Sequence, residues 1–235
     1  MKKEHYGTVI IGAGQAGLSV AYFLKKIDQD FILLDEGSQV GDSWLRRRDS
    51  LKLFTGAQHG SLPGFSIPAK RGSRPTKEDM ADYLSNYASK YSMPVQLDTK
   101  VLELNKSSDK YEIVTSKGKL NADRVIVATG TNQIAYTPAF DTLEVEAPLT
   151  SVSVDNLKEA SIVWTTGFRP DFSWIKIDIV GQNGWPQTHR GISDKFKGLY
   201  FVGMLFQYAL TSGLSGGSSR DAAFVVNHIK MEKAK

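Results

Sequence analysis

The chain has 235 residues, 41% hydrophobic, 23% charged and 10% aromatic, the mix of an ordinary folded protein, which excludes a disordered or collagen-like chain. With no cysteine it can hold no disulfide framework, no Cys-ligated zinc or iron–sulfur cluster and no C-x-x-C redox pair. The net charge of +4 is mild and the longest basic cluster, Arg46–Arg48, falls short of the stripe that phosphate neutralisation needs, so no nucleic-acid partner is expected.

Gly7 to Leu24 is uncharged and imitates a membrane span, but Gly12, Gly14, Gln15, Gly17 and Ser19 interrupt it. The expectation is a soluble, cytoplasmic protein with no membrane partner. The same stretch divides into a strand and a helix. Tyr6–Ile11 carries β-branched Thr8, Val9, Ile10 and Ile11, the pattern of a strand buried on both faces. Gly12-Ala13-Gly14-Gln15-Ala16-Gly17 follows and fits G-x-G-x-x-G. A helix is predicted over Leu18–Lys26, ending in lysines suited to its negative end. Phe31–Leu34 is a second buried strand closed by Asp35, 23 positions after Gly12, near the ~20-residue separation of a ribose-binding acid.

Each residue type has a use in that chemistry. Gly12 turns the chain, Gly14 lets backbone approach a pyrophosphate, and Gly17 lets helix pack on strand. The phosphates then meet the N–H groups at the positive helix end, around Gln15 and Ala16. Asp35 accepts from ribose hydroxyls and repels a 2′-phosphate, with Glu36 adding to the repulsion, so NADP is disfavoured here. A tight strand–helix turn without ligand would have no use for the acid. The unit therefore predicts a dinucleotide site, open at this point to both FAD and NAD.

Gly37-Ser-Gln-Val-Gly-Asp-Ser-Trp44 then reads as a loop and not as the prompt third strand of a dehydrogenase. With Asp35, Gly41 and Trp44, this segment resembles the bacterial flavin-containing-monooxygenase-like flavoproteins of the two-dinucleotide-domain class, Asp42 standing where the family pattern has a second glycine. The resemblance continues through Arg48–Thr55, Ser61–Gly64 and Pro75-Thr76-Lys77, which leads into a helix near Asp79–Tyr91. It implies FAD as cofactor, with Gly41 on the cofactor side and Trp44 and Leu51 to Thr55 near the isoalloxazine ring. For Trp44 and Phe54 core packing stays open as the alternative, and Arg46–Arg48 reads as a solvated loop, with neutralisation of the pyrophosphate as its alternative.

Three alternating segments near Thr99–Asn105, Lys110–Thr115 and Lys119–Asp123 read as a β-meander, with Val101 expected beside the cofactor. Arg124–Val127 with Ala128-Thr129-Gly130 reads as another buried strand. In the resembled family this strand crosses into a nicotinamide domain, and the return hinge looks like Val163–Asp171. Residues 131–166 between the hinges number 36 and contain no glycine. One βαβ unit alone takes about 30 residues and a nicotinamide domain on the order of 100. The chain thus looks like an FAD domain without its nicotinamide domain, assembled from 1–140 and 160–235, with 141–159 as a short bridge and Glu144–Val154 forming one or two short strands.

Gly198–Gly203 reads as a short strand and Leu205–Ser215 as a loop or short helix. A last helix opens at Gly216–Asp221, capped by Ser218 or Ser219, and runs to about Met231. The resemblance places this helix N-terminus against the flavin, where Gly203, Gly217 and Asp221 join the site and Gly216 and Gly217 allow close approach. Tyr22 and Lys26 have the Tyr-x-x-x-Lys spacing of short-chain dehydrogenases but sit on the fingerprint helix. His5, His59, His189 and His228 lack metal-ligand spacing, and His59 reads as a surface residue or, by resemblance, as lining the flavin pocket.

The expected fold is a three-layer, Rossmann-like α/β FAD-binding domain, a parallel sheet with helices on one side and the meander on the other. The expected function is that of an FAD-dependent oxidoreductase resembling flavin-dependent monooxygenases, acting on a small-molecule substrate, with weak or absent NAD(P)H-driven turnover. The alternatives are a non-catalytic or engineered minimal FAD-binding module and an NAD-dependent dehydrogenase. Loss of a neighbouring domain is expected to expose apolar surface near the hinges and to favour a homodimer.

Overall fold

Val9, Ile10, Leu33, Val125 and Ile126 are almost wholly buried, as strands covered on both faces require. The computed structural model describes residues 4–136, 146–147, 150–151 and 166–233. In chain order its elements are β1 (His5–Ile11), α1 (Gln15–Lys26), β2 (Phe31–Leu34), α2 (Asp42–Leu45), α3 (Ala57–Gly60), α4 (Lys77–Lys90), β3 (Val95–Gln96), β4 (Val101–Ser107), β5 (Lys110–Thr115) and β6 (Gly118–Val127). They continue with β7 (Ile134–Ala135), β8 (Glu146–Ala147), β9 (Thr150–Ser151), β10 (Phe168–Arg169), β11 (Leu199–Phe201), a 3₁₀ turn at Leu210–Gly213 and α5 (Ser215–Lys233).

One seven-stranded sheet runs β3-β2-β1-β6-β5-β4, with β11 also on β6. The pairs among β3, β2, β1, β6 and β11 are parallel, and those among β6, β5 and β4 antiparallel. Strand β6 does two jobs along its far edge. Residues 118–122 pair with β5, and Val125–Val127 pair with β11. The sequence reading divides this stretch in two near Asp123–Arg124; the structure has one ten-residue strand, and the polar pair marks only the change of partner.

Strand faces alternate with period two, and two clusters result. Ile10, Leu33, Ile126 and Tyr200 face a cluster that includes Leu24 of α1, Leu84 of α4 and Val225 of α5. Val9, Ile11, Ile32, Leu34, Val127 and Phe201 face Leu104, Tyr111 and Ile113 of the meander, together with Phe172 and Ile179. Each such side chain contributes about 1.5–3 kcal/mol on burial. The three layers expected from sequence are present, with the meander hydrogen-bonded into the same sheet and packed over its other face.

Helix α4 begins at Lys77, two residues before its expected start, because Thr76 and Asp79 form a capping box, with Asp79 N–H donating to Thr76 Oγ1 at 3.2 Å and Thr76 N–H to Asp79 Oδ2 at 2.9 Å. Helix α5 begins at Ser215. Ser218 and Ser219 therefore lie inside its first turns and do not cap it; both hydroxyls donate back to Ser215 O, at 2.9 and 3.2 Å.

Beyond β6 the chain leaves through β7, and β10 returns antiparallel to it, Phe168 opposite Ala135 and Arg169 opposite Ile134. Ile134, Tyr136 and Phe168 here are 51%, 43% and 52% exposed, the apolar surface expected near the hinges. Between them β8 pairs antiparallel with β9; apart from those four residues, the bridge at 141–159 and the start of the return hinge at Val163 lie outside the described residues. No helix among the described residues is long and apolar enough to cross a membrane.

Candidate functional site

The carboxyl ends of β1, β2, β6 and β11 meet around Gly12. Its N–H donates to Leu34 O at 2.8 Å, Ala128 N–H to Ile11 O at 2.8 Å and Val202 N–H to Val127 O at 2.9 Å. Gly12 has φ +105, and a Cβ there would fall 2.6 Å from Ala128 O. Five residues on, a Cβ on Gly17 would lie 1.9 Å from Gly12 O, so α1 is drawn directly onto the turn. Gly14 differs from both: it is extended, and a Cβ on it would meet nothing within 4 Å. That opening lies at the N-terminus of α1, which has no side-chain cap. Leu18 N–H is taken by Gly14 O at 2.9 Å, which leaves the N–H groups of Gln15, Ala16 and Gly17 for a ligand.

Asp35 is half-buried at the end of β2 and braces this turn, which corrects the expectation that a turn without ligand has no use for the acid. Its Oδ2 accepts Ala13 N–H at 2.6 Å and its Oδ1 accepts Gly37 N–H at 2.8 Å. Each oxygen keeps a further lone pair for a hydroxyl donor. Glu36 is exposed, 4.0 Å from Arg46 and 3.7 Å from Lys100. These cations offset the repulsion expected of Glu36, so the expectation that it adds to that of Asp35 is weakened. Arg46 also pairs with Asp42 at 2.9 Å, and its hydrogen bond holds the Asp42 carboxyl below the ordinary aspartate range.

Gly41 has φ +93 and caps α2, and a Cβ on it would stand 2.7 Å from Ala81 Cα; its freedom serves the contact with α4. Trp44 is buried, donates from Nε1 to Gln15 Oε1 at 3.4 Å, and lies under the Arg47 guanidinium at 4.7 Å. It thereby ties α2 to the start of α1. Leu51 and Thr55 are half-buried around buried Leu53, whose N–H donates to Pro75 O at 2.7 Å. Phe54 is 84% exposed, which corrects the core alternative for it. His59 is likewise exposed. Val101 is half-buried two residues after Thr99, whose N–H donates to Asp35 O at 2.8 Å.

Two residues that sequence reading did not single out for the site hold its segments in place. Lys77 Nζ donates to Leu45 O at 3.3 Å, Arg47 O at 3.0 Å and the Asp49 carboxylate, fixing the loop after Trp44. A lysine in the first helical position, where the helix dipole disfavours a cation, is the signal that could have found it. Gln133 Nε2 donates to Thr129 Oγ1 at 2.9 Å and Gly130 O at 2.7 Å, while its Oε1 accepts Asp171 N–H at 2.7 Å. It clamps the Ala128-Thr129-Gly130 exit to the returning chain, and no local pattern announces such a contact.

On the far side, a Cβ on Gly203 would stand 2.8 Å from Ala16 Cβ, so the end of β11 touches the start of α1. What approaches Gly216 and Gly217 is protein backbone: added Cβ atoms would fall 2.3 Å from His59 O and 1.8 Å from Thr211 O. The two glycines pack α5 against α3 and the 3₁₀ turn, which corrects the expectation that ligand access explains them. Asp221 is 2% exposed, with Oδ1 3.5 Å from Arg220 Nε and a buried Oδ2 that has no hydrogen-bond partner. A carboxylate oxygen left so calls for a donor from outside the described protein atoms.

The model of the family described as pyridine nucleotide-disulphide oxidoreductase matches residues 9–159. An uncharacterized oxidoreductase CzcO of Bacillus subtilis (strain 168) is 26% identical over 345 aligned positions, spanning 97% of this chain and 100% of that protein. The chain has 235 residues, so more than a hundred of those positions have no counterpart in it. A CzcO of Bacillus velezensis is 41% identical over 125 residues, 53% of this chain and 36% of that one. The flavin-containing monooxygenase from Stenotrophomonas maltophilia shares the fold, with a TM-score of 0.82 at 22% identity over 97% of this chain and 99% of that one.

Proposed function

The chain belongs to the pyridine nucleotide-disulphide oxidoreductase family, and on that premise we propose that it binds FAD non-covalently and serves as a monooxygenase-like flavoprotein oxidoreductase. The observation that carries this reading is the contrast within one motif. Gly12 and Gly17 are pressed against backbone, whereas Gly14 opens onto free space beside uncapped helix N–H groups and the Asp35 carboxylate. That is the shape and charge of a cradle for a pyrophosphate and a ribose. The buried, unpartnered Oδ2 of Asp221 fits a cofactor that brings its own donors, and Leu51, Thr55, Val101 and Thr129 are each half-buried, as groups that a cofactor covers in part would be.

When bound, FAD supplies two-electron redox chemistry. The first-turn amides of α1 bind its phosphates, and Asp35 orients its ribose. Trp44, held by Gln15, excludes water from one side, and the N-terminal end of α5 offers its dipole to negative charge on the ring. We place these roles on one domain built from 1–140 and 160–235, with 141–159 as a short bridge where a nicotinamide domain would be expected. Residues 131–166 contain no glycine, so no second phosphate-cradling loop can form there. Hydride delivery then lacks an ordered nicotinamide encounter, and NAD(P)H-driven turnover is slow.

The absence of that loop equally favours a second reading, a minimal FAD-binding module without turnover. The visible absorbance spectrum of the purified protein, followed by anaerobic titration with NADPH and NADH, tests both. A flavin spectrum with slow, non-saturating reduction supports the proposal. A colourless protein after incubation with FAD overturns it, and one that binds NAD instead returns the site to the dehydrogenases. Substrate-dependent reoxidation separates the enzyme from the bare module.

A further inference from the structure

The turn before β11, the loop after it and the start of α5 bring two arginines onto one aromatic ring. The Arg190 guanidinium carbon lies 4.4 Å from the centre of the Tyr208 ring and 3.8 Å from that of Phe224; that of Arg220 lies 4.2 Å from the Tyr208 centre. The two cations are therefore within about 9 Å of each other, a separation at which they repel unless negative charge lies between or beside them. The carboxylate at hand, Asp221, reaches Arg220 only at 3.5 Å. Among the described residues no ion pair includes Arg190.

Polar groups without partners gather at the same place. Arg190 Nε is buried without an acceptor, and so is Gln207 Oε1 without a donor, although Gln207 Nε2 donates to Phe201 O at 2.6 Å. Arg190 also adopts φ +48, a backbone conformation that residues with side chains seldom take. Tyr208 is 57% exposed, so the cluster opens to solvent. Stacking on an aromatic face occupies the flat side of a guanidinium and leaves its N–H edges free, pre-set for the fork geometry that oxyanions accept.

We propose that Arg190 and Arg220, braced on Tyr208, form a binding site for the oxyanion of a small ligand, a phosphate or a carboxylate group. Through the Arg220–Asp221 pair the cluster borders the end of α5 that the proposed function gives to the flavin ring, but its own groups, not that reading, carry it. Its ligand comes either from a nucleotide phosphate or from an acidic substrate, and the two share the same recognition chemistry.

The test follows the arginine side-chain Nε–Hε signals by NMR in the full chain during titration with inorganic phosphate, acetate and NADP⁺. The expected result is a saturable shift confined to Arg190 and Arg220. Arg190→Gln or Arg220→Gln should weaken it about tenfold or more, as loss of a charge-assisted pair does. Tyr208→Leu removes the brace without removing charge and should weaken it less. Tighter binding of NADP⁺ than of phosphate assigns a nucleotide, tighter binding of acetate assigns a carboxylate, and both uphold the site. No saturable response to any probe, or an undiminished one in the double Gln variant, overturns it. A colourless protein that binds phosphate here keeps this site while losing the flavin; a yellow one that does not bind does the reverse.

Discussion

Asp35 Oδ2 accepts the Ala13 N–H at 2.6 Å, so the acid at the end of β2 holds the middle of the glycine turn at the end of β1. One carboxylate thus shapes the loop and keeps lone pairs for the proposed ribose. Asp35→Asn replaces one acceptor oxygen with an N–H₂ group, which cannot satisfy both Ala13 and Gly37. Hydrogen bonds to charged groups contribute about 1.5–3 kcal/mol, so urea unfolding should show a loss of that order. Fluorescence titration of the apoprotein should show FAD affinity falling by at least about tenfold, the equivalent of ~1.4 kcal/mol. Unchanged affinity would remove Asp35 from the site.

Gly14 and Gly17 belong to one motif but should fail in different ways. A Cβ at Gly14 meets no protein atom within 4 Å, whereas one at Gly17 falls 1.9 Å from Gly12 O. Gly14→Val should fold with little change in melting temperature and purify without flavin. Gly17→Ala should lower stability severely, by pushing α1 off the turn, whether or not flavin is added. Circular dichroism melts alongside the visible spectrum distinguish the two outcomes.

Sequence and structure agree most closely from Tyr6 to Asp35, because there the chain's local signals and its tertiary contacts coincide. Both faces of β1 and β2 are covered, so their apolar runs are continuous, and the glycines sit where the turn and the helix contact demand them. Agreement is weaker where a residue's partner is distant in sequence. Gly217 looks the same whether a flavin or Thr211 O approaches it, and Gln133 carries no local mark of its bond to Asp171, 38 residues away. Strand β6 reads as two because a polar pair interrupts its apolar pattern, although the backbone runs on and only the neighbour changes.

Lys77 tests whether the loop after Trp44 must be fixed for the cofactor to bind. The lysine is nearly buried, and its ammonium satisfies two loop carbonyls and the Asp49 carboxylate. Lys77→Met keeps the stem and deletes the donors. The segment 45–55 should become more readily cleaved by protease, and FAD affinity should fall several-fold while the α4 helix signal remains. Equal affinity with a protected loop would assign Lys77 to stability alone.

Alkaline pH should unfold the protein through the tyrosines of α4. Tyr83, Tyr87 and Tyr91 lie at successive four-residue intervals on that helix and donate their hydroxyls to Phe65 O, Pro63 O and Gly64 O, stapling the 62–65 turn to it. Burial pushes the Tyr83 phenol up to about 12 and raises Tyr87 as well, against an ordinary value of about 10 in the unfolded chain. The native state therefore binds more protons than the unfolded one across that interval, and stability falls as pH rises. The contribution is complete below pH about 10 and is lost as pH climbs through about 12. Urea midpoints measured at rising pH should drop over this window. In Tyr83→Phe the drop should shrink, from a starting stability already lowered by about 1–3 kcal/mol, because Leu62 N–H and Phe65 O lose their partner. A midpoint that holds steady to the upper end of the window would mean that these hydroxyls are not the groups that resist ionisation.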